Sequence, residues 1–183
     1  MPGKNLRLLG GYPLLVWTLA VARHSETLDR IVVSSDDEAI LELARANDVR
    51  ALRRPAEMAT DAASSYPPLL HALEAQDHSF EWLCLLQPTS PFRAPCDIDA
   101  CVAATVQASL PAVVSVELGK LVPNGAVYVG NVEWLRESLA RGEPRPFDSP
   151  ACGFYFMPST RSIDIDTEED FARAEEMLEQ WGA

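Results

Sequence analysis

The chain contains 183 residues, of which 48% are hydrophobic and 23% are charged; this composition predicts one globular domain with a hydrophobic core and excludes global disorder. The net charge of −12 argues against a nucleic-acid-binding surface, because such surfaces carry stripes of basic residues. The longest apolar runs are far too short to cross a bilayer, and no signal-peptide pattern opens the sequence. We therefore expect a cytoplasmic protein whose partners include neither nucleic acid nor membrane.

Cysteine and histidine usage agrees with that compartment. The four cysteines form no C-x-x-C pair, and the three histidines are scattered without the spacing of a zinc site. This pattern argues against structural zinc and favours a reducing environment, in which a buried cysteine acts as a small hydrophobic residue.

Helical and strand patterns alternate along the whole chain. The predicted elements, in chain order, are a helix over 13–24, a strand over 30–35, helices over 36–47 and 67–76, a strand over 82–87, a helix over 97–108, strands over 112–116 and 125–129, a helix over 132–140, short strands over 154–157 and 162–165, and a last helix with Thr167 as its N-cap. Nearly continuous apolar strands separated by helices predict an α/β, Rossmann-like fold. In this fold a mostly parallel sheet carries helices on both faces, and we expect one domain over residues 1–183.

Ligands of open α/β sheets bind beyond the carboxyl ends of the strands, so polar loops at those ends are candidate sites. Residues 2–5 (PGKN) combine a glycine that permits close backbone approach with Lys4, a point charge for phosphate, and Asn5, a hydrogen-bonding amide. A plain turn with an exposed lysine is the simpler interpretation of this segment taken alone.

An arginine pair, Arg53 and Arg54, follows a strand, and Ser64 and Ser65 then begin a helix. Guanidinium groups and helix-terminal hydroxyls suit the anionic and polar edges of a nucleotide. The alternative is that the arginines form surface ion pairs and one serine is only a helix cap, and the two interpretations are equally supported by the residues themselves.

The loop that follows the apolar strand at 82–86 has the sequence QPTSPFR, residues 87–93. Its two prolines stiffen a segment that carries an amide, two hydroxyls and a guanidinium group, whereas a simple connector needs none of these. We interpret the loop as functional.

Asp164 and Asp166 stand two residues apart at a predicted strand end. Alternate residues of a strand face the same side, so the two carboxylates converge. Paired carboxylates suit Mg²⁺, which takes one or two carboxylates together with phosphate oxygens. The alternative is that Asp166 or Thr167 merely caps the following helix; we favour the metal, and the two roles are compatible.

Taken in order, these segments resemble the acylneuraminate cytidylyltransferase (CMP-sialic acid synthetase) family over nearly the whole chain. The motifs that carry the resemblance are residues 2–5 (PGKN), 33–37 (VSSDD), 54–61 (RPAEMATD), 86–91 (LQPTSP), 123–126 (PNGA) and 161–167 (RSIDIDT). The related enzymes for the eight-carbon sugar acid Kdo are less similar, because we do not expect LQPTSP there. The resemblance implies the nucleotide-diphospho-sugar transferase type of fold and CMP transfer from CTP to an acidic sugar.

On the nucleotide side, the resemblance implies that Lys4 and Asn5 contact CTP and that Arg54, with Ser64 or Ser65, helps to hold it.

On the sugar side, the resemblance implies that Gln87 contacts the sugar acid and that Asn124 lines its pocket. Asp164 and Asp166 would hold Mg²⁺, and Asp164, Asp166 and Lys4 would be the catalytic groups. The anomeric hydroxyl would attack the α-phosphate of CTP and release pyrophosphate, with Asp166 as the candidate proton acceptor.

Two departures from the family pattern affect these expectations. The family begins with a strand and an Ala-Arg-x-Gly-Ser-Lys phosphate loop before PGKN, and it carries several dozen residues where this chain has only 117–123. We therefore expect the phosphate loop to be missing and the dimerisation insertion to be shortened, although a homodimer is compatible with the resemblance. Rival functions are CMP transfer to pseudaminic, legionaminic or a Kdo-like acid, or a degenerate nucleotide-binding or assembly subunit.

Overall fold

The computed structural model describes residues 1, 3–55, 58, 66–143 and 145–181. Its helices and strands are β1 (Leu8–Leu9), β2 (Tyr12–Pro13), α1 (Leu14–Arg23), β3 (Val32–Ser35), α2 (Glu38–Ala46), β4 (Arg50–Arg53), α3 (Tyr66–Glu74), β5 (Trp82–Leu85), α4 (Pro95–Gln107), β6 (Ala112–Glu117), β7 (Pro123–Asn131), α5 (Val132–Ala140), β8 (Gly153–Met157) and α6 (Glu168–Trp181). Short 3-10 helices cover Lys4–Leu6, Pro146–Asp148 and Ser159–Arg161. In this described part of the chain, no helix is both long and apolar enough to cross a membrane.

The main sheet has four strands in the order β5–β7–β6–β8, and β3 pairs with β4 in a separate parallel pair. The predicted α/β class is confirmed, with one correction: the sheet is mixed rather than mostly parallel. Strand β7 runs antiparallel to both of its neighbours, whereas β8 is parallel to β6. The short connection between β6 and β7 forms a hairpin, whose strands are antiparallel, whereas the antiparallel pairing of β7 with β5 depends on which strands become neighbours in the folded sheet.

Helices cover both faces of this sheet, as predicted. Successive residues of β6 point to opposite faces: Val113 packs with Ile98 of α4, whereas Val114 packs with Leu135 of α5 and with Phe147. All five side chains are buried. Strand β6 therefore lies at the buried centre of the sheet. The packed sheet gives rigid support to the polar loops at the ends of its strands.

The strand predicted over 162–165 is wrong. Residues 162–166 belong to no sheet ladder; their main-chain link to the rest of the fold is the bond from Ile165 N to the Thr89 carbonyl, 2.8 Å long. Ile163 and Ile165 do alternate with polar residues, but they do so because both pack into a core cluster with Leu9 and Phe171. The alternation of apolar and polar residues indicates which side chains are buried. An extended loop segment produces this pattern as well as a strand does.

The predicted N-cap of the last helix is confirmed. The amide of Asp170 donates to the Thr167 hydroxyl (3.1 Å), and the Thr167 amide and hydroxyl donate to the Asp170 carboxylate (2.8 and 2.7 Å). This reciprocal arrangement is a capping box, with an aspartate in place of the usual Glu or Gln. Since Thr167 and Asp170 fix the start of α6, the carboxylate of Asp166 is left for another role.

Candidate active site at the ends of β5 and β7

Three of the sequence motifs meet at one place. The loop after β5 is joined to the segment that precedes α6 by the bond between Ile165 N and Thr89 O. It is joined to the start of β7 by Ser90, whose hydroxyl donates to the Asn124 carbonyl (3.2 Å). The start of β7 is joined in turn to the segment that precedes α6 by Asn124, whose side-chain amide donates to the Ser162 hydroxyl (3.0 Å). The motifs QPTSP, PNGA and RSIDIDT therefore form one cluster in space.

Gly125 lies at the centre of this cluster. Its φ is +75°, a conformation that favours glycine, and a Cβ atom placed there would lie 2.6 Å from Gln87 Oε1 and 3.0 Å from Asp164 Oδ2. The side chains of Gln87 and Asp164 thus converge on the space that Gly125 leaves open. An amide and a carboxylate side by side are hydrogen-bonding groups for a polyhydroxylated ligand.

Asp164 is half-buried, and its Oδ1 atom is buried without a hydrogen-bond partner among the described residues. Burial raises the pKa of Asp164, the charge of Asp166 raises this pKa further, and a hydrogen bond from Thr89 and the charge of Lys4 lower it. A carboxylate that carries an unused, desolvated oxygen beside a second carboxylate is poised to receive a cation.

Lys4 connects the start of the chain to the two aspartates. Its Nζ atom donates to Asp166 Oδ1 (2.7 Å) and to the Ile165 carbonyl (3.2 Å). Lys4 belongs to a 3-10 helix that follows Gly3, which has φ +68°. The next residue, Asn5, has a buried Oδ1 atom with no hydrogen-bond partner in the described part of the chain. The structure thus brings together Lys4, Asp164 and Asp166, the three residues that the family resemblance implies are catalytic, with Asn5 on the same short helix as Lys4.

The donor set around Asp164 and Asp166 fits a hard divalent cation such as Mg²⁺. The fit rests on the unused buried oxygen of Asp164 and on the adjacent carboxylate of Asp166. Within the described residues, no group of three or more His, Cys, Asp or Glu side chains is arranged to hold a metal. Two carboxylates alone match Mg²⁺ sites that are completed by water and by phosphate oxygens of a substrate.

Arg54 is held at the end of β4, next to the end of β3. Its amide donates to the Ser35 carbonyl (2.9 Å), and its guanidinium group donates to Asp36 Oδ1 (3.0 Å), which lowers the pKa of Asp36. The Nε atom of Arg54 is buried and has no partner among the described residues. Ser64 and Ser65 lie outside the described residues, so the predicted contact of this region with a nucleotide stays a prediction.

Asn124 is occupied inside the protein. Its side chain is buried, and its Oδ1 atom accepts hydrogen bonds from the Ser115 hydroxyl (2.6 Å) and the Ala126 amide (3.2 Å), while its amide donates to Ser162. These contacts shape the turn that presents Gly125. The predicted contact between Asn124 and the sugar stays a prediction, and the role visible in the structure is to position its neighbours.

Arg93 belongs to the loop that the sequence marks as functional, but its guanidinium group faces the protein interior. It donates to the Thr18 hydroxyl (2.9 Å) and to the main-chain carbonyl of Gln87, and burial lowers its pKa to about 10. Arg93 thus fixes the backbone from which the Gln87 side chain projects. No local sequence signal separates this buried arginine from an exposed one.

Comparison with known proteins identifies the fold and the family. The structure superposes on the CMP:2-keto-3-deoxy-manno-octonic acid synthetase complexed with CTP with a TM-score of 0.78, covering 99% of this chain and 93% of that one at 13% identity. That likeness shows that the two proteins share a fold. A family profile described as Cytidylyltransferase matches residues 1–122, which is two thirds of the chain. The chain belongs to the cytidylyltransferase family, and the family resemblance seen in the motifs is confirmed.

Two sequence relatives illustrate the range of the family. The chain is 28% identical to the N-acylneuraminate cytidylyltransferase of Escherichia coli O18:K1:H7, over 93% of this chain and 47% of the relative. It is also 28% identical to the CMP-N,N'-diacetyllegionaminic acid synthase of Legionella pneumophila, over 98% of this chain and 90% of the relative. The chain therefore spans about half the length of the E. coli relative and nearly all of the Legionella relative.

Proposed function

We propose that the protein transfers CMP from CTP to the anomeric hydroxyl of an acidic nonulosonic sugar and releases pyrophosphate. The observation that carries this proposal is the convergence of Gln87 and Asp164 on Gly125, with Lys4 and Asp166 beside them. Gln87 offers a neutral amide to a sugar. Lys4, Asp164 and Asp166 offer a positively charged group and two carboxylates, the groups that phosphate transfer requires.

In this mechanism the oxygen of the anomeric hydroxyl forms a bond to the α-phosphorus of CTP, and the bond from that phosphorus to the bridging oxygen of pyrophosphate breaks. Gln87 orients the sugar, and Asp166 accepts the proton of the attacking hydroxyl. Lys4 places a positive charge against the triphosphate. Asp164 and Asp166 would hold Mg²⁺, which neutralises charge on phosphate oxygens when it is bound.

For the sugar we propose a sialic acid-like nonulosonic acid, with pseudaminic, legionaminic and Kdo-like acids as the rival substrates. The two relatives, which are equally similar to this chain, are named for acylneuraminate and diacetyllegionaminate. Both sugars carry a carboxylate and several hydroxyls, and they differ in their ring substituents. A panel of these acids is therefore the appropriate substrate set.

Nucleotide preference is tested by scanning calorimetry with CTP, UTP, ATP and GTP, each with and without Mg²⁺. A ligand present at a hundred times its Kd adds about 2.7 kcal/mol to the stability of the native state. We expect the largest increase in Tm with CTP and Mg²⁺ together. Equal increases with all four nucleotides would contradict cytidine selectivity, and an Mg²⁺-independent increase would contradict the role given to the aspartates.

We also propose that the protein forms a homodimer through an exposed apolar patch. The patch comprises Leu118, Leu121 and Val122, between β6 and β7, and Phe154 and Phe156, on the edge strand β8; all five side chains are between 46% and 69% exposed. A bond from Leu118 N to Met157 O (2.7 Å) joins the two parts.

The size of this patch favours a second copy of the chain as its partner. Each phenylalanine buries about 150–250 Å² when it is fully covered, and with the three more exposed aliphatic side chains the patch presents roughly 500 Å² per copy. Two copies then bury about 1,000 Å², the lower bound of a specific interface. Light scattering should show that Phe156→Ser shifts the protein towards monomer, whereas Val106→Ser, a change at a 54% exposed aliphatic residue on α4, does not. A wild-type monomer at high concentration would contradict the proposal.

A further inference from the structure

Asp97 lies on the first turn of α4 and is fully buried. Its carboxylate accepts four hydrogen bonds. The Nε and Nη2 atoms of Arg161 bind its two oxygens in bidentate fashion, each at 2.9 Å. The Ala94 amide donates to Oδ2 at 2.8 Å, and the Tyr155 hydroxyl donates to Oδ1 at 3.2 Å. A buried charge is costly unless it is fully paired, and here the pairing is extensive.

The donors come from parts of the chain that flank the candidate site. Ala94 follows Arg93, the last residue of the loop that begins at Gln87, and Arg161 precedes Asp164 by three residues. Burial and the charge of Asp97 raise the pKa of Tyr155 to about 12, so its hydroxyl remains a donor at neutral pH. One carboxylate therefore ties together the end of the Gln87 loop, the edge strand β8 and the segment that carries the two aspartates.

We propose that Asp97 is a positioning residue that sets the separation between Gln87 and the Asp164–Asp166 pair. It acts through Arg161 on one side and through the Ala94 amide on the other. The proposal deepens the proposed function and rests on it for its catalytic consequence, whereas its structural consequence is independent of activity. Groups that orient metal ligands without binding the metal commonly change metal affinity 10- to 100-fold when they are removed, and Asp97 would act on Asp164 and Asp166 through Arg161 in this way.

The same helix supplies a matched control. Two residues further along α4, Asp99 also collects several hydrogen bonds: the Ser25 hydroxyl donates to it at 2.6 Å, and the Thr27 hydroxyl donates to it at 2.8 Å. Those bonds hold the loop after α1. Asp99→Asn therefore removes a comparable anchor from α4 without touching the ties to the loop after β5 or to the Asp164–Asp166 segment.

The test compares Asp97→Asn and Arg161→Lys with Asp99→Asn in two measurements. Arg161→Lys keeps the positive charge but loses bidentate geometry. In hydrogen–deuterium exchange, we expect amides of 162–167 to exchange at least about tenfold faster in the first two variants than in the control, while the amides of β6 change equally in all three. In turnover assays, we expect the Mg²⁺ concentration for half-maximal rate to rise about tenfold or more in the first two variants only.

Exchange in 162–167 that is the same in Asp97→Asn as in Asp99→Asn would overturn the proposal. Faster exchange with unchanged Mg²⁺ dependence would overturn its catalytic part. If the wild type shows no turnover with any sugar acid, the proposed function fails, and the exchange data still decide the positioning role. If Asp97→Asn fails to fold, Arg161→Lys tests the same proposal, because it changes two of the four hydrogen bonds and keeps those from Ala94 and Tyr155.

Discussion

The Nζ atom of Lys4 lies 2.7 Å from Oδ1 of Asp166, although 162 positions separate the two residues in the sequence. This contact brings the PGKN motif onto the segment that leads into α6. Asp164 lies close enough for the charges of both Lys4 and Asp166 to influence its pKa. The start and the end of the chain thus contribute to one polar cluster, which is the basis for the predictions below.

Lys4→Gln should reduce kcat/KM for CTP by at least about tenfold, because it removes a positive charge proposed to meet the triphosphate. Stability should change little, since an exposed ion pair contributes about 1 kcal/mol or less. The control is Lys120→Gln, which breaks the surface pair between Lys120 and Glu117 (2.6 Å). Steady-state kinetics with equal losses in both variants would contradict the role given to Lys4.

Asp166→Asn should reduce Mg²⁺-dependent turnover by about 10²-fold or more, because metal coordination supplies several kcal/mol of transition-state stabilisation. The fold should be kept, since Thr167 and Asp170 form the cap of α6. Thr167→Ala is the complementary control: it should cost about 1 kcal/mol of stability through loss of the cap and leave the Mg²⁺ dependence unchanged. Full activity in Asp166→Asn would show that Asp166 serves the local structure only.

Asp164→Asn should abolish Mg²⁺-dependent turnover and yet raise the Tm at neutral pH. Burial raises the pKa of Asp164, so the folded protein holds the proton more tightly than the unfolded chain, and ionisation above that pKa destabilises the fold. A neutral, nearly isosteric side chain removes this penalty. The advantage of the variant should shrink as the pH falls through the raised pKa, where wild-type Asp164 becomes neutral as well.

Calorimetry of both proteins from pH 7 downwards measures this difference directly. A lower Tm for Asp164→Asn at pH 7 would mean that contacts to the ionised carboxylate outweigh its desolvation.

Gly125→Ala should reduce turnover and stability far more than Gly119→Ala. Both glycines have positive φ, +75° and +89°, so both substitutions incur backbone strain of about 1 kcal/mol. Only at position 125 does a Cβ atom meet the site, 2.6 Å from Gln87 Oε1, whereas at position 119 nothing lies within 4 Å. The difference between the two variants, measured by denaturation and by sugar-acid KM, isolates the close approach of the side chains around Gly125, namely Gln87, Asp164 and Ser90. Equal effects would show that strain alone matters.

The sequence predicted those features that local chemistry determines. The helix over 132–140 matches α5 residue for residue, and Thr167 caps α6, because periodicity and cap chemistry act within a few residues. The convergence of Asp164 and Asp166 was predicted from their spacing, whereas the grouping of Lys4 with them followed from the family resemblance, since no local rule joins residues 162 positions apart.

The features that sequence reasoning missed depend on tertiary context. The antiparallel direction of β7 follows from pairing partners, and the extended segment 162–166 shows strand-like alternation without a ladder. Asn124 and Arg93 lie in conspicuous polar motifs, and nothing in those motifs marks their side chains as buried. Their hydrogen bonds to Ser162, Thr18 and other buried groups become visible only in three dimensions.

The most direct test of the proposed function is mass spectrometry of the products formed from CTP, Mg²⁺ and a panel of nonulosonic acids. We predict a CMP conjugate of at least one acid, with one pyrophosphate released per conjugate, and loss of both products in the Asp164→Asn/Asp166→Asn double variant. No conjugate with any acid of the panel, by a wild-type protein that calorimetry shows to bind CTP, would contradict the account. So would equal product formation by the double variant.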